Sequence, residues 1–520
     1  LTAAEEPLYR PFDLPDAAAD TQAELPPVIA AVAAPRVGRL SAGPLSVVGA
    51  LREDPLWPTR LSVPTLLGAA RGYGRPLPLP PGPTGLPIVG SFFELRRDPF
   101  GLISRGAASY GDMFRIPMPL LDMVAVTHPD LLREFMDDAD GRYSRYDLLG
   151  PLLKIIGANS IMLEGPKLRE RRKMLMPMFT RRHLTTMADV FCGEFDDRLA
   201  GWSSFAGTGQ PVDLQYEISL MTLKVYLKTL FSASIGEREL RRLDADMRAI
   251  TGLLGLTTLM VPFPNRLPRK GRSSLLPALA RIYRLVGRLI KDRKDNPVAE
   301  PDFLDTLLEA RYEDGSPINR ADLAAEIVGL LGGAYDPTGA ALTWTVALLL
   351  KNPESLARLD GEVDALGGAL PTFDDVSRLS WTKACFDEGQ RMQGHPFFPR
   401  FCMADNELGG YRLPKLTLVG ASMSVVHRDP RWWPEPDRFD PMRFLDPEQV
   451  RARPRLAFMP FSSGQHFCLG TTMAYMAAQF FLSMLFQRYR LSVPDGWHPE
   501  PHFTFSVMVK GGLPAMISRA

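Results

Sequence analysis

A mainly helical body with a few small β-sheets, an α+β chain dominated by helix, is what this sequence predicts, on three observations. Apolar residues recur at helical spacing through most of the chain beyond Leu168. Strand-like runs are short, and they gather near Met113 and Gly410 and close to the C-terminus. No internal repeat interrupts this pattern.

Taken in order, residues 1–75 are rich in Ala and Pro, show little sustained period and run into Pro76, Pro78, Pro80, Pro81 and Pro83. They read as an N-terminal extension whose apolar patches, Pro26 to Ala34 and Leu61 to Leu67, could dock on the body, a partner or a membrane surface. Residues 76–520 read as one domain, the body of the chain. Met113 to Pro117 and Met123 to Thr127 alternate like two strands separated by a Pro-containing turn. Amphipathic periods then predict helices over Leu168–Phe179, Met187–Trp202, Leu279–Lys294, Ala321–Leu350, Pro353–Leu366, Trp381–Gln393 and Thr471–Tyr489. Short strands are expected at Gly410–Leu413 and Leu416–Val419, and again near the C-terminus.

Composition narrows the class of function. Of the 520 residues 45% are hydrophobic and 23% charged, so the chain is neither disordered nor fibrous. Lys plus Arg number 60 against 59 Asp plus Glu, a balance that recommends neither nucleic acid nor an acidic membrane as partner. Cys192, Cys385, Cys402 and Cys468 form no close pair, which fits neither a disulfide scaffold nor a zinc site and suits a reducing compartment. Apolar stretches near Thr251 to Phe263 and Leu323 to Leu350 are too short or are broken by Glu326, Asp336 and Pro337, so no transmembrane helix is expected. No hydrophobic signal opens the sequence, and the expected location is cytoplasmic.

The most specific stretch is Phe461-Ser462-Ser463-Gly464-Gln465-His466-Phe467-Cys468-Leu469-Gly470, running straight into a helix. It resembles the haem-binding loop of the cytochrome P450 family in its aromatic, first glycine, basic residue, cysteine and last glycine. Such a thiolate needs an apolar pocket, backbone N–H groups and a helix N-terminus to stay deprotonated. The resemblance implies a P450-like fold and haem b, with Cys468 as the iron ligand, Phe461 shielding the sulfur and His466 reaching a propionate. Gly464 is expected to take a positive φ, and Gly470 to let the backbone approach a flat macrocycle.

Further motifs follow in the family's order. Glu388 and Arg391, three apart on one helical face, and Phe439-Asp440-Pro441-Met442-Arg443-Phe444 are similar to its buried Glu–Arg–Arg network, with Met442 where an acid is usual. His427-Arg428-Asp429-Pro430, Trp433-Pro434-Glu435-Pro436 and Gly409 to Pro414 look like the approach to that element. Arg400 and Arg172 stand where propionate-binding arginines are found, although Leu168 replaces the usual Trp or His; Arg169 and Arg171 read as surface cations. The likeness runs from about Pro80 to Pro514 and includes Pro262 to Pro268 and Phe303 to Leu308.

Gly332-Gly333-Ala334-Tyr335-Asp336-Pro337-Thr338-Gly339 resembles the oxygen-side helix, where Ala334 would lie by the haem and an acid and a Thr over the iron. Asp336 supplies the acid, but Pro337 takes the place of Thr and Thr338 follows one step, about 100°, further round the helix. Asp336, Pro337 and Thr338 are therefore the candidate catalytic positions for proton delivery. Proline also predicts a kink or bulge opening a groove beside Ala334.

The resemblance implies an oxidoreductase of monooxygenase type. It would oxidise an apolar fatty acyl, terpenoid or polyketide-like molecule, with pocket segments at Leu148 to Leu163 and Leu253 to Phe263. Electrons would come from a separate ferredoxin- or flavodoxin-type protein, for which Arg172, Arg438, Arg451, Arg453 and Arg455 offer a basic face. Pro337 keeps open a peroxide-using, rearranging or coupling enzyme, and a haem sensor without turnover is the third class.

Overall fold

The computed structural model describes residues 78–520 apart from 87–88, 119–121, 139, 146–156, 252–271 and 396. The expected extension over 1–75, the motif Pro262 to Pro268, the segment Leu253 to Phe263 and part of Leu148 to Leu163 therefore lie outside the described residues.

The order of the principal elements is α1 (Pro99–Tyr110), β1 (Met113–Pro117), β2 (Asp122–Val126), α2 (Pro129–Asp137), β3 (Tyr143–Ser144), α3 (Gly165–Leu175), α4 (Arg181–Gly201), β4 (Val212–Asp213), α5 (Leu214–Phe231), α6 (Glu237–Thr251) and α7 (Arg272–Asp295). It continues with α8 (Phe303–Glu309), α9 (Arg320–Leu350), α10 (Pro353–Asp364), α11 (Ser380–Gln393), β5 (Phe398–Cys402), β6 (Asn406–Leu408), β7 (Tyr411–Leu413), β8 (Leu418–Ala421), α12 (Thr471–Arg488), β9 (Tyr489–Ser492), β10 (Pro501–Phe503), β11 (Val507–Val509) and β12 (Pro514–Arg519). The expected mainly helical architecture is what forms. Among the described residues no helix is long and apolar enough to cross a membrane.

Helix α9 is the axis of the body. Asn319 caps it by accepting from the Asp322 N–H, and every residue from Thr338 through Leu349 is buried. The helix continues unbroken through Pro337, so the expected bulge does not form. The loss of one N–H is tolerated because neighbouring helices hold the segment: α5 packs along it, and Tyr335 and Thr338 hydrogen-bond to side chains of α6 and α5. Helix α5 escapes a search for amphipathic period because all of it except Tyr216, Lys224 and Lys228 is buried, leaving no polar stripe. Helix α6, also outside the expected set, does carry a period, with Leu240, Leu243, Met247 and Ile250 buried on one face.

Beside the helices lies a five-stranded sheet in the order β1-β2-β8-β5-β3. β1 and β2 form the expected hairpin, β8 joins β2 in parallel, and β5 runs antiparallel to β8 so that Arg400 faces Val419 in register. That register carries Arg400 from a distant part of the chain to the vicinity of α2, whose Phe135 carbonyl it contacts.

The motif arginines form a buried cluster. Arg391 Nε and Nη2 grip the two Glu388 oxygens at 2.6 and 2.8 Å, and Nη1 and Nη2 also donate to the carbonyls of His427 (2.8 Å) and Arg438 (3.2 Å). Arg443 comes within 3.5 Å of Glu388 and donates to the Glu435 carbonyl, while Met442, in the acid's place, stays exposed beside Arg358. Two expectations need correction. Arg171 is not a surface cation: it is 4% exposed and reaches from α3 to bridge Asp322 and Glu326 of α9. Arg453 does not contribute to an open basic face, since its guanidinium stacks on Trp433 at 3.8 Å and donates to the Arg443 carbonyl.

Candidate active site

The cysteine loop is built as its residue types require. Ser462 and Gly464 take φ of +63°, and Cys468 N–H donates to the Phe461 carbonyl at 3.0 Å, closing the turn. A Cβ on Gly464 would sit 2.2 Å from the Met136 carbonyl oxygen of α2, so glycine is required there by close approach as well as by φ. Gly470 caps α12, and a Cβ there would meet only the Cys468 sulfur, at 3.8 Å. Protein packing therefore does not explain Gly470, which leaves the side facing the sulfur as the reason for it.

Cys468 is enclosed by protein on most sides yet remains solvent-accessible, the situation of a thiol in the wall of a deep recess. Burial raises its pKa; the Gly470 N–H, the Thr471 hydroxyl and the Arg172 charge oppose that rise. Phe461 packs on Tyr475 with centroids 5.2 Å apart. Arg172 donates to the Phe467 carbonyl at 2.8 Å, so it braces the loop from the cysteine side.

A cation cluster stands next to this loop. His466 is held between Arg145, whose Nη2 lies 2.5 Å from Nδ1, and Glu164, whose carboxylate lies 2.7 Å from Nε2. Burial and the Arg145 charge push the imidazole down to about 4, so the neutral ring accepts from Arg145 and donates to Glu164. Burial works against ionising Glu164, but its hydrogen bond to His466 and the charges around it hold it down to about 2. Arg400 is 1% exposed, and its Nε and Nη2 have no hydrogen-bond partner. A buried guanidinium with open donors is the chemistry of a carboxylate-binding group. Arg145 was missed in the sequence; it stands in a polar stretch, Arg142-Tyr143-Ser144-Arg145, where nothing local separates a buried arginine from a solvated one.

One chain of contacts joins the cysteine loop to α9. Arg145 donates to the Ile161 carbonyl at 2.7 Å, and the Ile161 side chain lies against Gly333, where a Cβ would approach it to 2.8 Å. On α9 the half-exposed positions Leu330, Gly333, Ala334 and Pro337 share one face by their spacing. Ala334 and Pro337 therefore border the same open space. Thr338 is buried beside that face and shares a 3.2 Å hydrogen bond with Tyr226 of α5, which turns its hydroxyl toward that helix. Asp336 is 2% exposed, and burial raises its carboxyl to about 6 despite the nearby Ser506 hydroxyl and Arg248 charge. Neither carboxyl oxygen makes a hydrogen bond of good geometry.

The donor set fits a haem: a thiol at a helix N-terminus, a glycine left open on the sulfur side, and buried cations with unfilled donors. Gly464→Ala should disrupt this arrangement. It forces a Cβ into the Met136 carbonyl and a positive φ on alanine, a cost on the order of 1–3 kcal/mol from the backbone alone. Lower thermal stability and a reduced haem-loaded fraction are expected; a variant equal to wild type in both would show that the loop is not fixed by this contact.

Comparison with known proteins agrees with this geometry. The family model described as Cytochrome P450 matches residues 80–518. A putative cytochrome P450 132 from Mycobacterium tuberculosis strain H37Rv is 30% identical over 412 residues, covering 75% of this chain and 86% of the relative. A cyclooctat-9-en-7-ol 5-monooxygenase from Streptomyces melanosporofaciens is 26% identical over 426 residues, covering 81% of this chain and 91% of that protein. The crystal structure of a cytochrome P450DA heme domain superposes with a TM-score of 0.76 at 21% identity, covering 86% of this chain and 98% of the other, a likeness of fold.

Proposed function

The chain belongs to the cytochrome P450 family of haem-containing monooxygenases, and from that premise we propose that it oxidises an apolar organic substrate with dioxygen and electrons from a separate ferredoxin- or flavodoxin-type protein. The observation that carries this reading is the contact chain from Cys468's loop through His466, Arg145 and Ile161 to the half-exposed face of α9. When bound, haem b would supply the redox centre, with a thiolate that favours O–O cleavage.

The chain's own residues would do the rest. Cys468 would ligate the iron, and Arg400, Arg145 and His466 would hold the propionates. Glu164 tempers the positive charge of that cluster. Ala334 and Gly333 give a flat, side-chain-poor surface on the oxygen side, and Ile161 narrows the space above it. An apolar lining suits a fatty acyl, terpenoid or polyketide-like ligand, and the relative whose name carries an alkenol favours an unsaturated carbon skeleton. Exposed Arg438, Arg451 and Arg455 would remain for an acidic electron donor.

One observation favours a second reading. Position 337, on the half-exposed face, bears no hydroxyl, and Thr338 is bonded to Tyr226, so a peroxide-using or rearranging enzyme would be served by the same helix. Pro337→Thr separates the two. With dioxygen and reductant, restoring a hydroxyl should raise the share of electrons that end in product rather than released peroxide, by up to several-fold. No gain in Pro337→Thr, together with wild-type turnover on peroxide alone, would favour the second reading over the first.

A further inference from the structure

Glu326 is a carboxylate inside the mostly apolar α9, it is 0% exposed, and nothing described above uses it. The groups bonded to it are all donors. The Ser160 N–H reaches its two oxygens at 2.9 and 3.2 Å, the Ser160 hydroxyl donates to Oε1, and Arg171 Nη1 of α3 stands 3.3 Å from Oε2. Arg171 is steadied in turn by Asp322, one turn earlier on α9, which also accepts from Tyr312 Oη at 2.7 Å. An ion pair taken out of water rarely adds stability over apolar packing, so a carboxylate here is explained by what it orients.

It orients the segment 157–163, which is seated along α9 in a regular register. A Cβ on Gly157 would stand 2.8 Å from Ala325 Cβ, one on Gly329 2.8 Å from Asn159 Cγ, and one on Gly333 2.8 Å from Ile161 Cδ1. Two residues of extended chain span about 6.6 Å, and four residues of helix rise about 6 Å. Alternate residues of the segment therefore meet successive turns of α9, and they fit because Gly329 and Gly333 carry no side chain. Past Ser160 the chain turns: the Met162 and Leu163 N–H groups both donate to the Asn159 carbonyl at 2.9 Å, and the Ile161 N–H donates to Asn159 Oδ1 at 3.1 Å. The Ile161 carbonyl is taken by Arg145 at 2.7 Å. With its backbone held on both sides, the half-exposed Ile161 side chain lies against Gly333, at the border of the open space that Ala334 and Pro337 share.

We propose that Ile161 sets the size of molecule admitted beside Ala334, and that Glu326 is the positioning residue that keeps Ile161 there. This rests on the reading above, in which that space is the oxygen side of the haem. A branched aliphatic side chain offers no hydrogen bond and is stiff about its first torsion, so it selects by shape. A wall fixed through its backbone excludes what a mobile one would let pass. Glu326 and the Ser160 hydroxyl act through Ile161, so loosening the seat should widen the site without altering the iron's ligand.

The test uses haem-loaded wild type, Ile161→Ala, Ser160→Ala and Glu326→Gln, and each of the last two combined with Ile161→Ala, all first checked for an unchanged carbon monoxide spectrum. Ser160→Ala removes one hydroxyl from the seat and carries the test if Glu326→Gln loads no haem. Spectral titrations with imidazole and phenylimidazole, which bind iron through nitrogen, give a small-to-bulky ratio of Kd. Ile161→Ala should tighten phenylimidazole by about tenfold or more and leave imidazole unchanged. Ser160→Ala and Glu326→Gln should move the ratio in the same direction by less, and should speed amide hydrogen exchange across 157–163. Combined with Ile161→Ala they should move it no further, because the wall they hold is gone. A purely structural role would lower the unfolding temperature without moving the ratio. An unchanged ratio in Ile161→Ala overturns the wall. A ratio moved by Ile161→Ala but by neither seat variant overturns the positioning role, as does a seat effect that adds in full to that of Ile161→Ala. Wild type with a thiolate band but no nitrogen-bound spectrum in imidazole overturns the reading of the open space, and the inference with it.

Discussion

Cys468→Ala and Cys468→His should abolish the red-shifted Soret band that a thiolate-ligated haem gives when reduced under carbon monoxide, while substitution of Cys192, Cys385 or Cys402 leaves it intact. The contrast follows from where the four thiols stand. Cys192 donates to the Pro371 carbonyl at 2.8 Å, and burial pushes it up to about 12, the state of an inert core thiol. Cys385 and Cys402 are fully buried in α11 and β5, where burial likewise raises their pKa. Cys468 alone combines solvent access with a helix N-terminus, a backbone N–H and a nearby guanidinium. Cysteine replaced by alanine also loses little volume at an open wall, so the apoprotein should fold and the spectral loss can be read directly. A normal thiolate band in Cys468→Ala would overturn the ligand assignment.

Removing either half of the Glu388–Arg391 pair should yield unfolded or haem-free protein rather than a slow enzyme. Both side chains are 0% exposed, and each serves several partners: Arg391 holds two carbonyls besides Glu388, and Glu388 also accepts from the Asp440 N–H at 2.8 Å. Arg391→Ala would leave Glu388 only the Asp440 N–H and the Arg443 guanidinium, the latter at 3.5 Å. Stranding one member of such a pair costs about 3–5 kcal/mol, a large part of the roughly 5–15 kcal/mol that typically stabilises a domain. Thermal unfolding and the haem-loaded yield measure it. Arg391→Lys keeps the charge but not the fork, and should recover only part of the loss. Well-folded, loaded protein from both alanine variants would mean that the cluster is dispensable.

The readable parts of this protein are those in which function demands a local pattern. A thiolate loop has to place glycine, cysteine and a helix start within ten residues, so Phe461 to Gly470 could be recognised without any fold. Helices with one wet face, such as α4 and α7, announced themselves by period, whereas α5 did not, because burial on all sides erases the polar stripe on which periodicity depends. Arg171 and Arg453 misled for a related reason: an arginine's charge suggests solvent, and only packing shows whether a carboxylate or an aromatic face awaits it.

The linear sequence by itself determined the helical class, the cysteine ligand candidate, the Glu388–Arg391 face and the replacement of a hydroxyl by Pro337, since each rests on residue types a few positions apart. Tertiary structure alone decided that Arg145 and Glu164 bracket His466 and that Thr338 is hydrogen-bonded to Tyr226. Those pairings join residues more than a hundred positions apart, and no local propensity encodes them. They exist because the sheet register and the docking of α5 on α9 bring buried polar groups within reach of one another, and a buried polar group that finds a partner recovers part of the cost of leaving water.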